Sequence, residues 1–330
     1  MPNQCRDFPR QRFSLLFLLL PLLVASCAGL PNPTPEEPGS IYCPPEEPTL
    51  FSLYAPFFVP QTLHAAHNRI GLPSVREEGA GGDVFVDPSA AVIYVDMHEF
   101  FTARSRYTNL VYRLHFPEVP QFHLTAGKNG GLLVIVTLDK DRKPLLVTTV
   151  HTCGCYLVIT PTSFLPESAY PDGWNNRNQM QWGETLPAQL EFADNGIDDQ
   201  RLVVFLRDDT HRVMDLKIVG TREVKRKAAS IPLRLEPMSA LNALPVPGGG
   251  TTSFFETTGW RQGYVKDSYR PWEMLLIGWW ALDLNVGCDK EYGDRQTSQT
   301  VFYTSLKPWN RQRSDMRDFA AFLAFWGWKL

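Results

Sequence analysis

The chain has 330 residues, 44% of them hydrophobic and 20% charged, with a formal net charge of −3. That composition describes an ordinary globular chain able to bury a core. The small net charge leaves no electrostatic case for nucleic acid or for anionic lipid as a partner.

In chain order the first signal is N-terminal. Arg6, Arg10 and Arg12 precede the apolar run 13–24, and Val24-Ala25-Ser26-Cys27 follows it. Positive charge, a short apolar segment and then small residues form the pattern of a secretory signal, and the run falls short of the roughly 20 residues of a membrane span. Val24-Ala25-Ser26-Cys27 resembles the lipobox of bacterial lipoproteins. The resemblance implies cleavage before Cys27, acylation of its thiol and its new N-terminus, and a membrane anchor on that residue. Ala28, rather than Asp, implies sorting to the outer membrane, with the mature chain facing the periplasm. On this reading residues 1–26 are the signal peptide.

Residues 27–48 are rich in proline and carry two Glu-Glu pairs, so they read as a semi-rigid tether. Ile41-Tyr42-Cys43 interrupts that composition and could pin the tether to the body.

Residues 49–221 read as a β-rich domain. The runs 92–95, 110–116, 132–138 and 145–150 are short, apolar and bounded by turn-forming residues. Leu110, Tyr112, Leu114 and Phe116 alternate with Val111, Arg113 and His115, which predicts one buried face. Asp139-Lys140-Asp141-Arg142 predicts one hairpin, and Asp208-Asp209-Thr210-His211 a second. Local hairpins favour a mainly antiparallel sheet, packed as a sandwich in a β-rich α+β fold.

Residues 222–250 begin with the basic run Arg222 to Lys227 and end in Gly248-Gly249-Gly250, so they read as a connector. No aromatic side chain interleaves the basic ones, which favours a solvated face over a binding patch. Residues 251–330 form an aromatic-rich C-terminal subdomain. Its last element is an amphipathic helix, with Ser314 as a cap, Asp315 and Asp318 near its start, Phe319, Phe322, Leu323 and Trp326 at helical spacing, and Gly327 as the stop.

The most unusual local sequence is His151-Thr152-Cys153-Gly154-Cys155, directly after a predicted strand. On a straight strand, same-face positions lie about 6.6–6.8 Å apart. A disulfide needs its Cβ atoms about 3.5–4.5 Å apart, so Cys153 and Cys155 cannot bridge each other without a bend. Gly154 is the residue that could supply one. Three outcomes follow. With Cys5 lost and Cys27 acylated, Cys43, Cys153, Cys155 and Cys288 make an even set, and the default is two disulfides that pair Cys153 and Cys155 separately with Cys43 and Cys288. A soft metal, Cu or Zn, could instead sit on His151, Cys153 and Cys155 with His115 or His123 as a fourth ligand. The third outcome is a thiol redox site.

Other polar groups carry weaker signals: His64 with His67, Asp96 with His98 and Glu99, and Asp283, Cys288, Asp289 and Tyr292 in a later loop. No nucleophile elbow, His-Glu-x-x-His, phosphate loop or haem motif is present in the sequence. The leading expectation is therefore non-catalytic: a lipid-anchored envelope protein that binds a ligand or an envelope partner, with exposed Trp and Tyr suited to sugar or lipid. A row of exposed Trp between 260 and 280 would favour it. The alternative is a metal or redox protein centred on His151, Cys153 and Cys155.

Overall fold

The computed structural model describes residues 39–76, 83–175, 177–193, 199–293 and 300–330. The signal, Cys27 and the tether up to Pro38 lie outside these residues.

Two sheets organise the molecule. The first contains β1 (Ser40–Cys43), β2 (Phe57–Pro60), β8 (Gln200–Leu206), β9 (Val213–Gly220) and β10 (Ala229–Pro232), in the order β9-β8-β2-β1-β10. The second contains β3 (Val92–Phe101), β4 (Arg106–His115), β5 (Gly131–Leu138), β6 (Pro144–His151), β7 (Val158–Pro161) and β11 (Arg234–Pro237), in the order β7-β6-β5-β4-β3-β11. The predicted hairpins are β5–β6 and β8–β9, both antiparallel. Among the described strands of these sheets three pairings are parallel, β1 with β10, β2 with β8 and β3 with β11, so both sheets are mixed.

The sheets pack face to face. Tyr42, Phe58, Val204 and Leu216 of one share a core with Leu110, Tyr112, Leu114 and Val134 of the other. Behind the five-stranded sheet, Ile41, Cys43, Phe57 and Val203 form a second cluster, closed by Val224. Val224 lies on helix α2 (Thr221–Lys227), formed by the basic run where the sequence reads as connector; α1 is Leu50–Tyr54. The strands after α2 join one sheet each, so this segment ties the layers together.

A third layer covers the outer face of the six-stranded sheet. Val92, Val111, Leu133 and Ile135 pack there against Phe254, Phe302, Phe319 and Phe322 of the C-terminal region. The six-stranded sheet is thus an interior layer, and this explains why every residue of β5 is buried. It also corrects the one-faced reading of β4: Val111, Arg113 and His115 are buried as well. Arg113 survives there because its Nη1 donates to the Lys290 carbonyl (2.9 Å) and its Nε to His115 Nε2 (2.8 Å). Burial lowers its pKa to about 10.

Ser40–Cys43 is a full strand, with Ile41 and Tyr42 buried, so the ordered body takes over the end of the proline-rich segment. The terminal helix (Phe319–Phe325) buries Phe319, Phe322 and Leu323. Its cap is Asp318, whose carboxylate accepts from Ala321 N–H at 3.2 Å, and Ser314 is buried in the preceding turn.

Candidate functional site

Strand β6 ends at His151, and the chain turns at once. Gly154 has φ +91°, a left-handed conformation that glycine adopts at little cost. The turn is closed by Gly154 N–H to the His151 carbonyl (2.8 Å) and His151 N–H to the Cys155 carbonyl (2.9 Å). It brings the Cα atoms of Cys153 and Cys155 to 5.6 Å, and the two are disulfide-bonded to each other.

This corrects the expected pairing, since Cys43 and Cys288 are both free and buried. The reasons are positional. Cys43 belongs to the cluster on the outer face of the five-stranded sheet, away from β6. Cys288 turns its sulfur toward Arg261, whose Nη1 lies 3.5 Å away. A three-residue ring is also a weak staple. The chain-entropy relation gives it about 1.6 kcal/mol, against about 4.7 kcal/mol for a loop of a hundred residues.

The bend also gathers His151 with the two sulfurs, all three ligand atoms lying within 4.8 Å of one another. A disulfide offers no thiolate, so a soft metal could use this set only after reduction. Neither proposed fourth ligand joins it. His115 is fully buried against Phe254 and tied to Arg113. His123 instead pairs with Asp209 (3.4 Å), as does His67 (2.7 Å). Asp96 and His98 pair with each other at 3.1 Å.

Around the turn lies a polar cluster assembled from distant segments. Asp289 is buried and accepts from Gly131 N–H (3.2 Å), from the Thr152 hydroxyl and from Arg270 Nη2. Lys290, with no exposed surface, donates to the Cys153 carbonyl at 2.6 Å and to the Cys288 carbonyl at 3.3 Å. Its ammonium also lies 4.5 Å from the Tyr303 ring centre. Burial lowers its pKa. Glu273 is buried too, and desolvation raises its pKa to about 7.

His211, on the loop between β8 and β9, lies flat on Phe116 with ring centroids 3.9 Å apart. Its carbonyl accepts from His151 Nε2 at 3.2 Å. A carbonyl can only accept, so this contact places the ring proton on Nε2 and leaves Nδ1 as the free base. Burial lowers the His151 pKa to about 4, which keeps the imidazole neutral. A cavity of about 10 Å³, room for roughly one water, is walled by His151, Cys153, Cys155, His211, Glu273 and Asp289. The sequence signalled His151, the two cysteines and Asp289. His211, Arg270, Glu273 and Lys290 carry no local motif and were missed.

The second functional feature begins at the cavity wall. Helix α3 (Pro271–Ala281) carries Glu273 in its first turn and is apolar nearly all round. Its orientation is inverted relative to a normal amphipathic helix. Glu273, Gly278 and Ala281 face inward, whereas Trp272, Leu275, Leu276, Trp279 and Trp280 are exposed. Trp279 is 73% exposed and Leu275 64%. Leu282 and Leu284 continue the surface beyond the helix, and Trp260 and Trp309 are exposed as well. Tyr264, Tyr292 and Tyr303 are buried and fill core.

No protein-family model, no curated protein and no solved structure matches this chain.

Proposed function

We propose that this is a lipid-anchored protein of the bacterial cell envelope that binds lipid, without catalysis, through the exposed face of α3. The observation that carries the reading is the inversion of α3, with large apolar side chains outside and Glu, Gly and Ala inside. Complete burial of such a side chain gains about 1.5–3 kcal/mol, so a surface of this kind marks a contact site. Trp together with Leu matches the interfacial zone of a bilayer. Sugars, by contrast, are held by aromatic stacking and polar groups, which Leu275, Leu276 and Leu282 do not offer.

The placement of the N-terminal chain supports the same reading. By register Ser40 lies opposite Pro60, and Pro60 pairs with Leu206 at the end of β8. Two strand spacings, about 10 Å, separate β1 from β8. The loop after Leu206 supplies Thr210 and His211 to the cavity that Glu273 of α3 closes. The acylated Cys27 would be twelve residues before Gly39, a reach of at most about 40 Å. The anchor and the apolar face therefore serve the same end of the first sheet.

The test uses the mature polypeptide from Ala28 onward, made without its lipid, and zwitterionic phosphatidylcholine vesicles. The wild type is expected to co-sediment and to show blue-shifted Trp emission that brominated lipid quenches. Leu275→Ser with Trp279→Ser should weaken binding about tenfold, a loss of about 1.4 kcal/mol, at unchanged Tm. Absence of wild-type binding, or equal binding by the variant, overturns the assignment. Acylation is tested separately by metabolic labelling with an alkynyl fatty acid, which Cys27→Ser should abolish.

A further inference from the structure

The Cys153–Cys155 pair is a different kind of feature from the apolar face, and the argument about it is independent of lipid binding. We propose that Cys153–Cys155 is a redox-active disulfide that exchanges with a dithiol, with Cys155 as the sulfur attacked and Cys153 as the leaving sulfur.

Four observations meet at this bond. It joins residues two apart, so it contributes little as a staple and its reduction leaves the long-range packing untouched. It stands in the wall of a small cavity that His151, His211, Glu273 and Asp289 share with Phe116 and Val119. The sulfurs differ in surroundings: Cys153 is buried, whereas Cys155 is partly exposed. Cys155 N–H points at Cys153 Sγ from 3.4 Å, an interaction that favours a thiolate there and so makes Cys153 the better leaving group.

His151 completes the set, within 4.8 Å of both sulfurs. Its Nε2 donates to the His211 carbonyl at 3.2 Å. A rim for an incoming partner adjoins it. Tyr156 packs edge-on against His151 at 4.8 Å and against the exposed Trp182 at 5.4 Å.

The step balances as follows. One sulfur of the dithiol, as the thiolate after giving its proton to solvent, attacks Cys155 Sγ. A mixed disulfide forms, the Cys153–Cys155 bond breaks, and its electron pair stays on Cys153 Sγ. The second sulfur of the dithiol, its proton also lost to solvent, then attacks the first, which releases Cys155 as thiolate and closes a disulfide in the donor; Cys153 and Cys155 each take up one proton from solvent. Two electrons and two protons pass to Cys153 and Cys155, and the donor is oxidised by the same amount.

The experiment treats the full acylated chain, in detergent micelles, with dithiothreitol and glutathione redox mixtures. Acid quench, maleimide labelling and mass spectrometry then locate the thiols. Expected is reversible gain of two labels on the peptide holding Cys153 and Cys155, with Tm and circular dichroism unchanged. In Cys153→Ser, Cys155 should capture glutathione as a mixed disulfide about tenfold faster than Cys153 does in Cys155→Ser, the difference that accessibility gives thiols. A disulfide that reduces only as the protein unfolds overturns the proposal, as does equal or reversed reactivity of the two single variants. A reduced chain that binds one Cu(I) or Zn(II) and then ceases to exchange overturns it in favour of a metal site.

Discussion

The ammonium of Lys290 donates to the carbonyl oxygen of Cys153 at 2.6 Å, in a position with no exposed surface. One buried cation thereby fastens the turn after β6 to the C-terminal layer, and the Lys290 backbone repeats the link by donating to the Thr152 carbonyl at 2.8 Å. Lys290→Met keeps the length of the side chain but leaves the Cys153 and Cys288 carbonyls without this donor. Each unsatisfied buried group costs about 1–3 kcal/mol. With two such groups a loss of about 2–6 kcal/mol is expected in urea denaturation, and a variant as stable as wild type would show that the link is dispensable.

Gly154→Ala tests the turn itself. A Cβ on Gly154 would collide with the backbone carbonyl of Tyr303, which no side-chain rotation can relieve. Left-handed φ adds roughly 1–2 kcal/mol for an L-residue. The variant should lose several degrees of Tm and leave Cys153 and Cys155 partly unbridged in the intact mass. Full bridging at wild-type Tm would contradict the geometry.

Glu273→Gln gives a pH signature. The folded protein holds the Glu273 proton up to about pH 7, from an ordinary value of 4.5. Between these values the folded state binds more protons than the unfolded state, so this group makes stability fall as pH rises. The penalty, up to about 3 kcal/mol, is complete above pH 7 and absent below pH 4.5. Gln does not titrate. The variant should be the more stable protein at pH 8, and the gap should close by pH 5. A gap that widens on acidification would contradict the assignment.

The cysteine pairing predicts a thiol count. Purified without reductant, the chain should show one disulfide among Cys43, Cys153, Cys155 and Cys288, two hydrogens less than the reduced form of the same peptides. Cys43 and Cys288, both buried, should resist a polar thiol reagent in the folded state and react together on unfolding. A mass four hydrogens lighter would contradict free Cys43 and Cys288.

The features legible in the sequence are those that depend on near neighbours along the chain. The hairpins β5–β6 and β8–β9 follow from apolar runs with turn residues between them, and the terminal helix from its spacing and Asp318. The bend at Gly154 was legible as a requirement, because straight-strand geometry forbids a Cys153–Cys155 bond. Three-dimensional packing decided the rest. Whether Arg113 and His115 are surface or core depends on the C-terminal layer, more than a hundred residues away, folding over that face of the sheet. Asp289, Lys290, Glu273 and His211 become one cluster only when three separate segments meet at the end of β6, and no local pattern encodes such a meeting. The same holds for α3. An apolar helix reads as core from its composition, and only packing reveals that its inward face is Glu273, Gly278 and Ala281, which leaves Trp279 and Leu275 in water.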